Sequence, residues 1–139
     1  MAEEKSTEKK LHLKITTHER VVFDSDVDEI YLKGSQGEFG ILPGHVPFMT
    51  PLEIGVGKVV VAGQPQLFTI MGGIFQLKDS EALILTQVAE HAEEIDVERA
   101  QEARKRAKER LEEVIDTTDV QRAEVSLARA IARIKATDK

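Results

Sequence analysis

Cysteine is absent from these 139 residues. That excludes a disulfide scaffold, a thiolate zinc site and a cysteine nucleophile. Asparagine is missing too, in line with a heat-adapted composition, although seven Gln pull the other way. No apolar run reaches the ~18 residues that would span a membrane. No cationic start leads into an apolar stretch, so no secretory signal is expected. A basic excess is also lacking: 19 Lys+Arg stand against 25 Asp+Glu, a net charge of -6, which argues against a general nucleic-acid binder. The length suits one domain or two small ones.

The most informative absence is local. All nine Gly lie at or before Gly73, all four Pro at or before Pro65, and all six aromatics at or before Phe75. Beyond Ser80 the chain turns to Ala, Glu, Arg and Lys, which favour helix. Charge divides as well: residues 1–94 carry 8 Lys+Arg against 15 Asp+Glu, and residues 95–139 carry 11 against 10. A β domain followed by a helical one is therefore expected.

The polar residues 1–10 read as a disordered tail. From Leu11 the pattern alternates, with Leu11, Leu13 and Ile15 on one face. Further short β-prone runs are Val21–Phe23, Ile30–Leu32, Val59–Val61, Leu67–Ile70, Ile74–Leu77 and Leu83–Leu85. Gly34, Gly55, Gly63-Gln64-Pro65, Gly72-Gly73 and Lys78-Asp79-Ser80 are read as turns between them. Such spacing predicts an antiparallel β-sandwich or barrel over 11–90.

Over 91–139 the period becomes helical. Val97, Ala100, Ala103, Ala107, Leu111 and Val114 form one stripe, and Val120, Ala123, Leu127, Ile131 and Ile134 another. Asp116-Thr117-Thr118-Asp119 breaks them, with Thr118 and Gln121 spaced as a capping box. The expected fold is a two-helix antiparallel hairpin. Its mostly alanine stripe buries little area, so the hairpin must lean on another surface, and a ligand can tip such a marginal element between two arrangements.

Arg122, Arg129 and Arg133 share one face of the second helix, and Arg99 and Arg106 one face of the first, with Asp96 one turn before Arg99. Converging guanidinium groups suit a phosphate chain. A solvated charged face has the same spacing. The stretch Gly37 to Phe48 reads as a structured loop whose apolar tip either docks a partner or folds onto its own core. His12, His18, His45 and His91 are scattered and read as surface or turn residues. No acid, base, nucleophile and metal set can be assembled, so an enzyme is not expected.

GEFGILPGHVPF (Gly37 to Phe48), Gly72-Gly73 within FTIMGGIFQL, AEEIDVERA (Ala92 to Ala100) and QRAEVSLARAIARI (Gln121 to Ile134) occur in the order found in the epsilon subunits of bacterial F-type ATP synthases. From Leu11 to Ala136 the chain resembles that family. The resemblance implies a non-catalytic subunit of the central rotor stalk, on the cytoplasmic face of the bacterial membrane and peripheral to it. Its β domain would sit on the gamma subunit and the c-subunit ring. The ring-facing loop would comprise Glu38, Phe39, Gly40, Ile41, Leu42, Pro43, Gly44 and His45. The helices would fold down, or extend into the catalytic head against the beta and alpha subunits and inhibit ATP hydrolysis.

The resemblance also implies ATP as a regulatory ligand, with or without Mg²⁺. The family's nucleotide motif matches Ile95, Asp96, Arg99 and Ala100. Its further positions match Glu90, Arg106, Arg122, Arg129 and Arg133. The tail Met1–Lys10 is longer than the family usually carries. Two competing expectations are a purely structural coupling subunit without nucleotide and an adaptor that uses the hairpin as a coiled-coil dock.

Overall fold

The structure, a computed structural model, describes residues 10–115 and 118–137. Tail residues 1–9, Asp116 and Thr117 of the expected break, and the last two positions lie outside the described residues.

The first strand, β1 (Leu11–Thr16), shows why alternation is a reliable signal. Leu11, Leu13 and Ile15 are buried, while His12 and Lys14 take the other face. It is followed by β2 (Val21–Val27), β3 (Glu29–Gly34), β4 (Gly37–Ile41), β5 (Phe48–Val61), β6 (Gln64–Lys78), β7 (Glu81–Leu85) and β8 (Ala89–His91). Their order in the hydrogen-bonded sheet is β2-β1-β7-β6-β5-β3-β4, with β8 also paired to β6. All pairs are antiparallel except β1 with β7, which run parallel. The expected antiparallel sandwich therefore contains one parallel junction. One buried cluster joins the strands, centred on Leu13, Ile30, Ile41, Phe68, Phe75 and Ile84.

Several expected turns are instead positions within long strands. Gly55 lies inside β5 and Gly72-Gly73 inside β6. The two strands pair without a register break from Phe48↔Leu77 to Val61↔Gln64. At Gly72-Gly73, β6 changes its other partner from β8 to β7. A Cβ on Gly73 would lie 2.0 Å from the Leu85 carbonyl oxygen, and its φ is +114°. Only glycine permits that approach. The β5–β6 turn is Ala62-Gly63, both at positive φ, which places Gln64 and Pro65 in the strand. Asp79-Ser80 closes β6–β7 in the same left-handed region, as the turn reading had it.

After β8 a 3-10 turn (Ala92–Glu94) leads to α1 (Val97–Glu112) and α2 (Val120–Thr137). Asp96 caps α1, its Oδ1 accepting the Arg99 backbone N–H at 3.1 Å. The start of α2 falls one residue later than the expected capping box. Asp119 Oδ1 accepts the Arg122 N–H at 3.0 Å, while Thr118 Oγ1 accepts the Ile115 N–H at 3.0 Å. Aspartate is the better cap, and Thr118 is used in the link.

The hairpin is cemented by alanine. Ala100 and Ala107 of α1 are buried, as are Ala123 and Ala130 of α2. Ala132 and Ala136 lie half a turn round α2 and are also buried. That second face was missed, because α2 packs on β5 and β6 as well as on α1. Val114 falls beyond the end of α1, and Val120 and Ile131 stay exposed. A buried methyl contributes about 0.8 kcal/mol, so this docking is held by little apolar area. No described helix is long and apolar enough to cross a membrane.

Candidate functional site

Where α2 crosses the sandwich, its charged side chains meet β8. Arg133 donates from Nε to Glu90 Oε1 at 2.8 Å and from Nη2 to Glu90 Oε2 at 3.2 Å. The buried Thr69 of β6 donates its hydroxyl to the same Oε1 at 3.1 Å. Both charged side chains are about 30% exposed, at 31% for Arg133 and 27% for Glu90. Charge-assisted bidentate bonding of this kind is strong for its size.

The remaining nucleotide candidates are differently placed. Ile95 is half-buried and closes the 3-10 turn, and Asp96 is exposed with its carboxylate on the helix cap. Ala100 is buried. Arg99, Arg106 and Arg122 are exposed. Arg129 is half-buried, and among the described residues its Nε is buried without a hydrogen-bond partner. The fold thus brings Glu90 and Arg133 into contact, while Asp96 meets Arg99 only through its backbone. It leaves Arg129 with an unmet donor.

The expected loop Glu38–His45 divides in two. Glu38, Phe39, Gly40 and Ile41 belong to β4, and Ile41 is fully buried in the core. The run was read as a loop because Gly and Pro dominate it, yet Gly37–Ile41 pairs with Ile30–Gly34 in a strand. Leu42, Pro43, Gly44 and His45 form the loop proper, with His45 N–H donating to the Leu42 carbonyl at 3.1 Å. Leu42, Val46 and Met49 project outward, at 51%, 69% and 63% exposure. One part of the stretch packs inward and the other presents an apolar tip.

Spacing did not reveal Thr69, Arg20, Gln66 or the role of His91. Arg20 reaches Glu94 at 3.3 Å from the turn between β1 and β2. The Gln66 Oε1 meets His91 Nε2 at 3.2 Å. Thr69 had a signal: it is a polar residue inside the apolar run Leu67–Met71. The other contacts join distant segments and leave no local pattern.

Residues 10–92 match the family described as ATP synthase, Delta/Epsilon chain, beta-sandwich domain, and residues 93–138 its long alpha-helix domain. The ATP synthase epsilon chain of Bacillus velezensis is 40% identical over 126 residues, covering 91% of this chain and 96% of that one. That of Desulforamulus reducens is 42% identical, with the same coverage. In fold, the chain resembles one in the Euglena gracilis mitochondrial ATP synthase (OSCP/F1/c-ring), with a TM-score of 0.82 at 24% identity. That match covers 94% of this chain and 82% of the other. A chain of the Tetrahymena thermophila mitochondrial ATP synthase central stalk and c ring aligns with a TM-score of 0.63 at 15% identity, covering 94% and 98%. On these two domain matches and the near-full-length relatives, the chain belongs to the delta/epsilon family as an epsilon subunit of an F-type ATP synthase.

Proposed function

We propose that this subunit is a non-catalytic rotor element whose hairpin responds to ATP. The β domain couples the gamma subunit to the c-subunit ring, with the apolar tip Leu42, Val46 and Met49 as part of its docking surface. The complex holds it peripherally at the cytoplasmic face of the membrane. In the folded arrangement α2 lies on β5 and β6. When released, the helices extend toward the beta and alpha subunits and restrain ATP hydrolysis.

The observation that carries the nucleotide reading is the buried Arg129 Nε, which has no acceptor among the described residues, beside an α2 face that also holds Arg122 and Arg133. A phosphate oxygen supplies what that donor lacks. Arg99 and Arg106 of α1 are solvent-facing and able to turn toward a polyphosphate. In this reading Glu90 and the chain at Ile95, Asp96 and Ala100 would receive the nucleoside end. A ligand that binds only the folded hairpin stabilises it by mass action, and extension weakens that binding in return.

Calorimetric titration of the full chain with ATP, with and without Mg²⁺, tests this reading. Saturable binding that is lost in Asp96→Ala/Arg99→Ala and weakened in Arg129→Gln is expected. No heat at millimolar ATP sinks the sensor role. A purely structural coupling subunit is the second reading. It is favoured by one fact: Asp96, Glu90 and Arg133 already have partners within the chain.

A further inference from the structure

The junction between the sandwich and the helices holds a polar knot centred on His91. Its Nδ1 accepts the Glu93 backbone N–H at 3.1 Å. A backbone N–H only donates, so Nδ1 presents its lone pair and the ring is neutral, with its proton on Nε2. Nε2 then donates to Gln66 Oε1 at 3.2 Å. The backbone N–H of His91 donates to Glu94 Oε1 at 3.0 Å, which completes a reciprocal capping box. Arg20 holds Glu94 from the β1–β2 turn. The imidazole stands edge-on to Phe68, with centroids 4.9 Å apart, so its orientation is fixed by packing.

We propose that His91 is a proton-operated release at the hinge: protonation of Nδ1 replaces an acceptor with a donor, expels the Glu93 N–H and frees the turn from which the hairpin starts. The consequence for regulation rests on the movable hairpin of the proposed function, whereas the hinge chemistry does not.

The charged groups around His91 come from four elements. Glu90 precedes it on β8, with its carboxylate taken up by Arg133 of α2. Glu93 and Glu94 belong to the 3-10 turn, and Arg20 to the β1–β2 turn. The His91 backbone N–H, assisted by Arg20 and opposed by burial, holds the Glu94 carboxyl below its ordinary range. Glu94 therefore keeps its charge while an imidazole takes up a proton. The sign follows from the geometry: a proton on Nδ1 removes the acceptor of the Glu93 N–H, so the knot is whole at higher pH and lost on acidification.

Nuclear magnetic resonance of the full chain without nucleotide, from pH 8 to pH 5, tests the proposal. The His91 ring and the Glu93 amide should titrate together. Exchange of that amide, corrected for intrinsic pH dependence, should rise roughly five-fold, the equivalent of one lost cap bond. His91→Asn offers a carbonyl acceptor that does not titrate and should keep the amide protected throughout. His91→Ala should lack the protection at every pH. Release of the hairpin should appear as faster exchange in α2 at low pH in the wild type, absent in His91→Asn. The proposal is overturned if the ring titrates without the Glu93 amide, if it does not titrate by pH 5, or if His91→Asn behaves as wild type. Unchanged exchange in α2 overturns the release. Because no ATP is present, failure of nucleotide binding leaves this result standing.

Discussion

Arg133 and Glu90 form the polar clasp between helix and sandwich, with two bonds of 2.8 and 3.2 Å and Thr69 fastening the carboxylate from beneath. Alanine docking alone is weak, so this pair should set much of the balance between docked and released hairpin. Arg133→Ala and Glu90→Gln should each destabilise hairpin docking by about 1–2 kcal/mol. The double-mutant coupling should be near 1 kcal/mol, above a fully exposed pair and below a buried one. Hydrogen exchange of α2 in each variant measures it. Additive effects, with no coupling, would mean that the two residues act independently.

Gly73 and Gly63 separate two costs of glycine replacement. At Gly73 a Cβ meets the Leu85 oxygen at 2.0 Å, and at Gly63 (φ +78°) it meets nothing within 4 Å. Gly63→Ala should cost about 1 kcal/mol, the conformational term alone. Gly73→Ala must move β7 as well and should cost more than about 3 kcal/mol. Urea midpoints of the two variants, or loss of folded protein for the second, give the comparison. Equal midpoints would show that β6 does not need Gly73 for its close contact with the β7 end.

His12 gives the β domain its own pH dependence. Its Nδ1 lies 2.8 Å from Asp26 and its Nε2 lies 2.5 Å from Asp24. Asp26 first and Asp24 second hold its pKa above the ordinary value, although burial opposes them. A raised folded value stabilises the protein fully below the unfolded value of about 6.5, and this contribution fades as pH climbs through the folded one. Wild type should therefore exceed His12→Gln in urea midpoint at pH 6, and the gap should narrow by pH 9. A gap that widens at high pH would reverse the assignment. All three side chains are more than a third exposed, so salt should shrink the effect.

What could be read from the sequence depended on how local each cause was. The alternation of Leu11, Leu13 and Ile15 and the three- and four-residue steps around Ala100 and Ala107 are properties of neighbouring residues, and both survived in three dimensions. Gly55 and Gly72-Gly73 were read as turns, because glycine permits a turn as readily as a bend inside a strand. The fold uses the second option. Ala132 and Ala136 were unreadable as core, because nothing in α2 announces that a sheet covers its second side. At the site, helical spacing grouped the arginines by face. It could not reveal that Glu90 claims Arg133 or that His91 finds Gln66 across two strands. Those pairings arise from tertiary approach.

Asp96 raises the sharpest ambiguity, since one carboxylate serves both the helix and the proposed ligand. It caps α1 through the Arg99 N–H at 3.1 Å, so Asp96→Ala should cost about 1 kcal/mol of helix stability whatever else it does. A fall in ATP binding in that variant would therefore be uninformative by itself. Asp96→Ser keeps a capping oxygen but is shorter and uncharged. If Asp96 contacts the nucleotide, Asp96→Ser should retain wild-type stability of α1, followed by helical circular dichroism on heating, and still lose ATP binding ten-fold or so, a difference of about 1.4 kcal/mol. If serine restores both stability and affinity, Asp96 acts only by starting the helix. The recognition of ATP then rests on the arginine faces, with Arg129 the first to test.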